Sequence, residues 1–301
     1  VEHPLGDSHL PTVDPTDPNK LSDEERHCIE RLQESFTSSD RLWQHMNWMA
    51  ERGRMALVRD RAVIFHACLA VDEEGGYLPL EIDGKQCRGP EQFEAFNRVI
   101  KRAFRAGSQA SEDDLDWFFY LWAGPNSPLF GKDRMATFET YFLAEKELHR
   151  ETKNPWFTWI QDHDFCDRIC REMGVPKHGI IVNGHVPVKV ERGESPLKRG
   201  GNAVTIDGAF SEAYGDRGFT LILAPEGEIL AEHHACPDPV AAVREGEDII
   251  PTMTAVRSYG RPRTVGDTEE GEAIRAQIRG LEELVEAYES GRIQERRREG
   301  P

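Results

Sequence analysis

Two histidines follow short apolar segments that are predicted to be strands, and they are the residues best placed for chemistry. His66 follows residues 62–65 (AVIF), and His185 follows residues 180–182 (IIV) and the turn-forming pair Asn183-Gly184. Such β-branched runs favour strands buried on both faces, and open α/β sheets bind ligands beyond the carboxyl ends of their strands. Neutral imidazole is a common ligand for zinc, manganese or iron, so both histidines are expected at one metal site. An ordinary strand-to-loop corner is the alternative for either histidine alone.

The arrangement of the two histidines resembles that of the calcineurin-like metallophosphoesterases. In that superfamily a strand-end histidine followed by small residues, and a later Gly-His pair, supply ligands to a dinuclear metal centre. Small residues follow His66 and Gly184 precedes His185, while residues 121–125 (LWAGP) resemble the Trp-small-Asp-Pro segment of the phosphoprotein phosphatases. The resemblance implies two divalent ions, expected to be Mn²⁺, with His66 and His185 as ligands of one of them.

Longer motifs resemble one family within this superfamily, the class III fructose-1,6-bisphosphatases. They are residues 9–15 (HLPTVDP), 127–139 (SPLFGKDRMATFE), 183–189 (NGHVPVK) and 193–198 (GESPLK). The chain departs from the family at Ala67, where Gly is usual, and at Leu69-Ala70, where Ile-Pro is usual; these changes concern the fine geometry of the metal site. The resemblance implies hydrolysis of the 1-phosphate of fructose 1,6-bisphosphate, a gluconeogenic step.

Three motifs that carry most of the family's metal ligands and its catalytic histidine are absent from the sequence. They are Asp-x-His, Gly-Asp-x-x-Asp-Arg-Gly and Gly-Asn-His-Glu. Asp7-Ser8-His9 has the first spacing, but no apolar strand precedes it, and we interpret it as a chance match. The chain begins with Val1 rather than Met. We therefore expect the C-terminal half of a longer enzyme, inactive by itself, with its catalytic residues in the preceding half.

Basic side chains close to His185 in the sequence are candidates for binding a substrate phosphate. A Gly-rich loop combines exposed amides with basic groups, of which Arg can bind two phosphate oxygens and Lys acts as a point charge. The candidates are Lys189, Arg192, Lys198 and Arg199 in the loop at 189–201, and Lys132 and Arg134 in an earlier Gly- and Pro-rich loop. A solvated surface loop is the alternative. We interpret Asp162-His163-Asp164 as a helix start capped by Asp164, not as a metal site.

Composition limits the partners and the compartment. The net charge of −17 argues against nucleic acid or an anionic membrane as a partner, but it still allows a local positive pocket for a phosphorylated sugar. No apolar run approaches the roughly 20 residues of a membrane span, and no signal peptide is visible. The six cysteines lack the spacing of a disulfide framework, which favours a reduced, cytoplasmic setting.

The predicted elements are a mixture of helices and strands. Helices are expected at 22–36, 39–53, 90–106, 164–174 and 269–288, and strands at 54–58, 62–66, 180–183, 203–207 and 219–223. Residues 77–85 are predicted to form a solvent-facing hairpin that turns at Asp83-Gly84. The stripe of Leu42, Trp43, Met46 and Met49 in the second helix is predicted to pack in the core. The aromatic run at 117–122 is interpreted as core or pocket wall rather than a base-stacking platform.

These elements indicate an α/β fold, and the resemblance makes it the C-terminal half of a metallophosphoesterase-type sandwich, two mixed sheets flanked by helices, with a C-terminal helical tail. We divide the chain into a lead-in (1–20), the catalytic-domain part (21–240) and a polar segment with an amphipathic helix (241–301). That helix is expected to contact the missing half or a second copy; packing on its own body is the alternative, which helical spacing does not distinguish. Two other functions remain open: another metallophosphoesterase, acting on proteins or small molecules, and a non-catalytic regulatory or assembly half.

Overall fold

The computed structural model describes residues 3–6, 8–175, 177–212, 215–236, 238–246, 248 and 250–294. The chain begins with helices α1 (Asp23–Thr37) and α2 (Asp40–Arg52). The predicted capping box at Ser22 is confirmed, since the Ser22 hydroxyl accepts from the Glu25 amide (3.2 Å) and the Glu25 carboxylate accepts from the Ser22 amide (2.8 Å). Asp7, and with it the predicted chance match at 7–9, lies outside the described residues, as do 295–301 at the end of the predicted third segment.

Strands and helices then follow in mixed order, mostly in runs of one type. In chain order they are β1 (Ala56–Arg59), β2 (Ala62–Phe65), β3 (Pro79–Ile82), β4 (Lys85–Arg88), α3 (Pro90–Ala106), α4 (Glu112–Ala123), α5 (Thr137–Phe142), α6 (Trp156–Trp159), α7 (His163–Glu172), β5 (Ile180–Asn183), β6 (Ala203–Thr205), β7 (Gly218–Ala224), β8 (Gly227–His233), α8 (Pro239–Glu245), β9 (Thr252–Ser258) and α9 (Glu269–Glu289). The described residues thus confirm an α/β chain with a C-terminal helix.

The described strands form three sheets. The central sheet has the order β1-β2-β5-β6, in which β2, β5 and β6 are parallel and β1 is antiparallel to β2. A two-stranded sheet (β3-β4) and a three-stranded sheet (β7-β8-β9) are antiparallel. One of the three sheets is therefore mixed, where the sequence interpretation expected two. Because β2, β5 and β6 run in the same direction, their carboxyl ends lie at one edge of the central sheet.

The central sheet is buried on both faces. On one face Val63 and Ile181 pack in a cluster with Phe96 of α3 and Ile169 of α7. On the other face the sheet packs against β7 and β8, in a smaller cluster that contains Ala62, Ile180, Val204, Phe219 and Leu230. Successive side chains of a strand point to opposite faces of the sheet. Because both faces are buried here, successive positions of the strand are apolar, which is the pattern that predicted these strands. Helices, the central sheet and the three-stranded sheet thus form successive layers.

Several predictions about local structure are wrong. Asp162, not Asp164, caps α7, because its Oδ1 accepts from the Phe165 amide at 2.8 Å and Asp164 falls in the first turn. The stripe on α2 is exposed rather than buried: Trp43, Met46 and Met49 are 42%, 38% and 58% exposed. Helical spacing identified an apolar face correctly, but it carried no information about what covers that face.

Two further regions qualify the sequence interpretation. In the aromatic run, Trp117 and Tyr120 pack against the core, whereas Phe119 and Trp122 are 65% and 63% exposed. Beyond residue 241, β9 pairs with β8 across the proposed boundary, so part of the polar segment belongs to the three-stranded sheet. No described helix is long and apolar enough to cross a membrane.

Candidate active site

The two histidines meet at the edge where the parallel strands end. His66 directly follows β2, and His185 lies two residues beyond β5, which is the parallel neighbour of β2. The loops after the two strands are bonded to each other, since the Gly184 amide donates to the His66 carbonyl at 2.8 Å. His185 adopts the left-handed conformation with φ 68°, which turns the chain sharply after Gly184. The predicted convergence of the histidines is confirmed.

The imidazole nitrogens of the pair are close enough to bind one ion. His66 Nε2 lies 3.1 Å from His185 Nδ1, and the ring planes are inclined by 58°. Two nitrogens about 2.1 Å from a common metal, subtending roughly 90–110°, are separated by roughly 3.0–3.4 Å. Burial lowers the pKa of both imidazoles, and the positive charge of His66 further lowers the pKa of His185. Both rings are therefore neutral near pH 7, the state in which imidazole binds metals.

Asp207 is a third polar residue at the same edge, and the sequence interpretation did not select it. It lies two residues beyond β6, and its negative charge acts on both histidines, raising their pKa values against the effect of burial. Its Oδ1 accepts from the Ala209 amide (2.8 Å), and its carbonyl accepts from the Val188 amide (2.8 Å). The rule that identified the histidines, a polar residue just after an apolar strand, applies equally to Asp207.

A buried amide ties the ends of the three parallel strands together. Asn183 Nδ2 donates to the Ala67 carbonyl (2.8 Å), beside His66, and Asn183 Oδ1 accepts from the Thr205 hydroxyl (2.8 Å) at the end of β6. Asn183 and Thr205 are 3% and 5% exposed. A buried hydrogen-bond chain of this kind fixes its members, so Asn183 holds the two histidine-bearing loops in register.

The donor set in the described part of the chain is incomplete for a divalent ion. It contains no group of three His, Cys, Asp or Glu residues arranged to hold a metal. The two imidazoles fit a metal by spacing and charge state, yet divalent ions are ordinarily held by more ligands. His66 and His185 can therefore supply part of a coordination sphere. His163, of the acidic triplet, lies at the start of α7 and is not part of this pair.

A cleft of about 400 Å³ opens beside His185. Asn183 and Gly184 form its wall on the histidine side, and Lys198 and Arg199 of the basic loop line it as well. Lys153, which the sequence interpretation did not select, also lines the cleft. Its volume falls within the range of small-molecule sites, roughly 300–1,000 Å³. The cleft therefore places three basic side chains beside the loop that carries His185.

Electrostatics link these basic groups. Burial is the largest cause of a lowered pKa at both Lys153 and Lys198, and Glu194 opposes it by raising the pKa of each lysine. Repulsion from Lys189 also lowers the pKa of Lys153, while the Lys189 backbone amide donates to Glu194 Oε2 at 2.9 Å. The cleft thus concentrates positive charge in an acidic protein, which suits an anionic ligand.

The remaining candidates for phosphate binding have other surroundings. Lys132 lies near His185 and lowers its pKa, but its ammonium is paired with Glu151 at 2.6 Å. Arg134 Nε donates to the Arg150 carbonyl at 3.0 Å, and Arg192 ends an exposed 3₁₀ turn. Arg134 and Arg192 are not among the residues that line the cleft. The structure therefore brings together Lys153, Lys189, Lys198 and Arg199, with Lys132 at the histidine side.

Comparison with known proteins identifies one family that matches nearly the whole chain. The family model described as Firmicute fructose-1,6-bisphosphatase matches residues 1–290. A protein named fructose-1,6-bisphosphatase class 3 from Bacteroides fragilis is 39% identical over 98% of this chain and 46% of its own length. Proteins of the same name from Fusobacterium nucleatum and Clostridium botulinum are 38% and 37% identical, over 97% and 98% of this chain and 46% of their own lengths. The chain spans about half the length of the curated relatives it matches. No solved structure matches it.

Proposed function

The chain belongs to the Firmicute fructose-1,6-bisphosphatase family, and we propose that it forms part of an enzyme that hydrolyses the 1-phosphate of fructose 1,6-bisphosphate. The observation that carries this proposal is the family match over residues 1–290. The geometry supports it independently, because two imidazoles at metal-binding separation lie next to a cleft that is lined by Lys153, Lys198 and Arg199 together with Glu194. Another phosphomonoesterase on the same scaffold is the alternative reaction, and the names of the relatives favour the sugar bisphosphate.

The histidine pair is proposed to hold one of two divalent ions, expected to be Mn²⁺. His66 Nε2 and His185 Nδ1 are the donor atoms, and other ligands would come from outside the described residues. When bound, the ions would supply a Lewis acid for the phosphoryl oxygens and an activated water for in-line attack. The chain's own contribution is to keep both imidazoles neutral and, through Asn183, in a fixed relative orientation.

The basic residues of the cleft are proposed to bind and orient the anionic substrate. Lys198 and Arg199 line the cleft directly, and Lys189 adds positive charge behind it. Lys132 is held beside His185 by Glu151, where its ammonium can contact the reacting phosphate. Arg134 and Arg192 have the weakest support for this role, since the guanidinium of Arg134 is directed at the Arg150 carbonyl and Arg192 is exposed outside the cleft.

The finer fold assignment is also a proposal: the chain would be the C-terminal half of a metallophosphoesterase-type sandwich. Support comes from the face-to-face packing of the central sheet on the three-stranded sheet, with helices on the outer face of the former. The missing half, or a second copy, would cover the exposed apolar stripes on α2 and α9. On α9 these include Ile278 and Leu281, 47% and 62% exposed. A non-catalytic role for this half is the alternative if no ligand set is completed.

A cytoplasmic location is part of the same proposal. All six cysteines lie in the described part of the chain and are free, and burial raises the pKa of Cys68, Cys166 and Cys170 to about 12. Free buried thiols of this kind are typical of proteins kept in a reducing compartment.

The test of function is phosphate release by the full-length protein, loaded with Mn²⁺, from a substrate panel. The panel contains fructose 1,6-bisphosphate, fructose 6-phosphate, a phosphoserine peptide and p-nitrophenyl phosphate. We expect the bisphosphate to have the highest kcat/KM and to yield fructose 6-phosphate, identified by a coupled isomerase assay. A higher kcat/KM for the phosphopeptide would contradict the proposal and favour a protein phosphatase.

A further inference from the structure

The cleft beside His185 has an apolar part and a cationic part. Phe157, Ile160 and Leu197 contribute apolar surface, and Lys153, Lys198 and Arg199 contribute positive charge. A hexose has apolar C–H faces and a phosphorylated hexose has anionic ends, so both parts have a counterpart in one such ligand. Asn183 and Gly184 line the cleft next to His185, and neither Lys153 nor Lys198 is among the charges that shift the pKa of His66.

The backbone beneath Lys153 is held firmly. Asn154, the next residue, is 3% exposed, and its Oδ1 accepts from the Val71 and Trp156 amides at 3.2 and 2.9 Å. Its Nδ2 donates to the Val71 carbonyl at 3.1 Å. Lys153 itself pairs with Lys132 in a β-bridge. The base of the Lys153 side chain is therefore fixed relative to the loop that follows β2, and the residue lines the cleft.

The ammonium of Lys153 is available for a ligand. Within the described residues neither lysine forms an ion pair, although Glu194 also lines the cleft and raises the pKa of both. Lys198 Nζ has only a long contact, 3.4 Å, to the Ser195 carbonyl. The Lys153 Nζ lies 5.8 Å from the centre of the Phe157 ring. Lys153 and Lys198 repel each other, which contributes to the lowered pKa of Lys198. A dianionic phosphate between them would offset that repulsion.

We propose that Lys153, together with Lys198, binds the phosphate of the bisphosphate that is not hydrolysed, which makes Lys153 a specificity-determining residue for the reaction. This inference rests on the proposed function. The reacting phosphate must lie at the histidine pair, because the metal donors are there. The second phosphate, at the other end of the sugar, then requires an anion site at a distance from the histidines, and the two ammonium groups of the cleft supply one. A substrate whose only phosphate is the reacting one would not use this site, whereas fructose 6-phosphate, which carries only the other phosphate, would.

The test compares Lys153→Met, which keeps most of the side-chain stem, with wild type and with Lys85→Met in the full-length, Mn²⁺-loaded protein. Lys85 lies in the β3-β4 hairpin, away from the cleft, and is a matched control. Fructose 1,6-bisphosphate and p-nitrophenyl phosphate are the two substrates, since the second carries a single phosphate. Loss of one charge-assisted contact should raise KM for the bisphosphate about 10- to 100-fold. We expect kcat for the bisphosphate, and kcat/KM for the aryl phosphate, to change less than about twofold.

A second measurement does not depend on turnover. Calorimetric titration of the metal-free protein with fructose 6-phosphate should show a similar loss of affinity in Lys153→Met and none in Lys85→Met. An unchanged KM for the bisphosphate, or an equal loss of kcat/KM on both substrates, would overturn the role of Lys153. Failure of the proposed function has a different signature: wild type would hydrolyse the aryl phosphate but not the bisphosphate. In that event, equal binding of fructose 6-phosphate by wild type and Lys153→Met would refute the cleft site as well.

Discussion

Replacing Thr205 with valine tests whether Asn183 holds the histidine loops together. The change keeps the side-chain shape and removes the hydroxyl that donates to Asn183 Oδ1 at 2.8 Å. Both residues are nearly fully buried, so the amide oxygen would lose its partner and gain no water in exchange. A buried acceptor left without a donor costs about 1–3 kcal/mol. With a urea m-value of about 3 kcal/mol/M, the unfolding midpoint should fall by about 0.3–1 M.

The same change should reduce activity, because Asn183 also donates to the Ala67 carbonyl beside His66. We expect Thr205→Val in the full-length enzyme to lower both the urea midpoint and kcat/KM for fructose 1,6-bisphosphate. Thr205→Ser keeps the hydroxyl and should restore most of both. Thr254→Val, at an exposed position of β9, controls for the loss of a threonine hydroxyl. If Thr205→Val has the urea midpoint and the kcat/KM of wild type, the hydrogen-bond chain does not position the histidines.

Two other predictions concern stability. Arg102 holds the pKa of the buried Asp114 below its usual value. The ion pair therefore stabilises the fold at pH values above the unfolded pKa of Asp, about 3.9. This contribution is lost as the pH falls through the lower pKa of the folded state. Asp114→Asn should therefore lower the free energy of unfolding by about 1–3 kcal/mol at pH 7. In urea titrations at several pH values, the difference between this variant and wild type should shrink below about pH 4. A difference that does not depend on pH would contradict this prediction. Gly89 has φ 50°, and a Cβ there would lie 2.6 Å from the Tyr77 ring, so Gly89→Ala should cost about 3 kcal/mol or more in thermal unfolding. Gly84→Ala is the control, because the added Cβ meets no atom within 4 Å. Only the left-handed backbone opposes this change, at a cost of about 1–2 kcal/mol of stability. Equal losses of stability in the two variants would show that the contact with Tyr77 is unimportant.

Local signals in the sequence predicted much of the fold. The capping box at Ser22 and the helix from Pro90 to Ala106 depend on neighbouring residues, and both are confirmed. The strand ends at His66 and His185 were predictable because an unbroken apolar run indicates a strand buried on both faces. The structure pairs the two strands in parallel, which brings their carboxyl ends to one edge and the histidines together.

Tertiary contacts explain what the sequence did not predict. Lys153 lies 36 positions before Lys189 along the chain, and it reaches the cleft through the buried contacts of Asn154 with Val71. The spacing of neighbouring residues in the sequence cannot predict such a long-range contact. The strand β9 lacks a strong apolar alternation and is specified by its pairing with β8. Asp207, by contrast, could have been found, since it follows an apolar strand as His66 does.

Metal binding by the full-length protein tests the central claim, that His66 and His185 bind the same ion. The measurement is the number of Mn²⁺ ions bound per chain, by calorimetric titration of wild type, His66→Ala, His185→Ala and the double variant. Each single variant should lose tight binding of one ion while keeping the wild-type circular dichroism spectrum. The double variant should lose no more than either single one, because both rings serve one ion. Wild-type stoichiometry and affinity in the double variant would show that the pair is not a metal site.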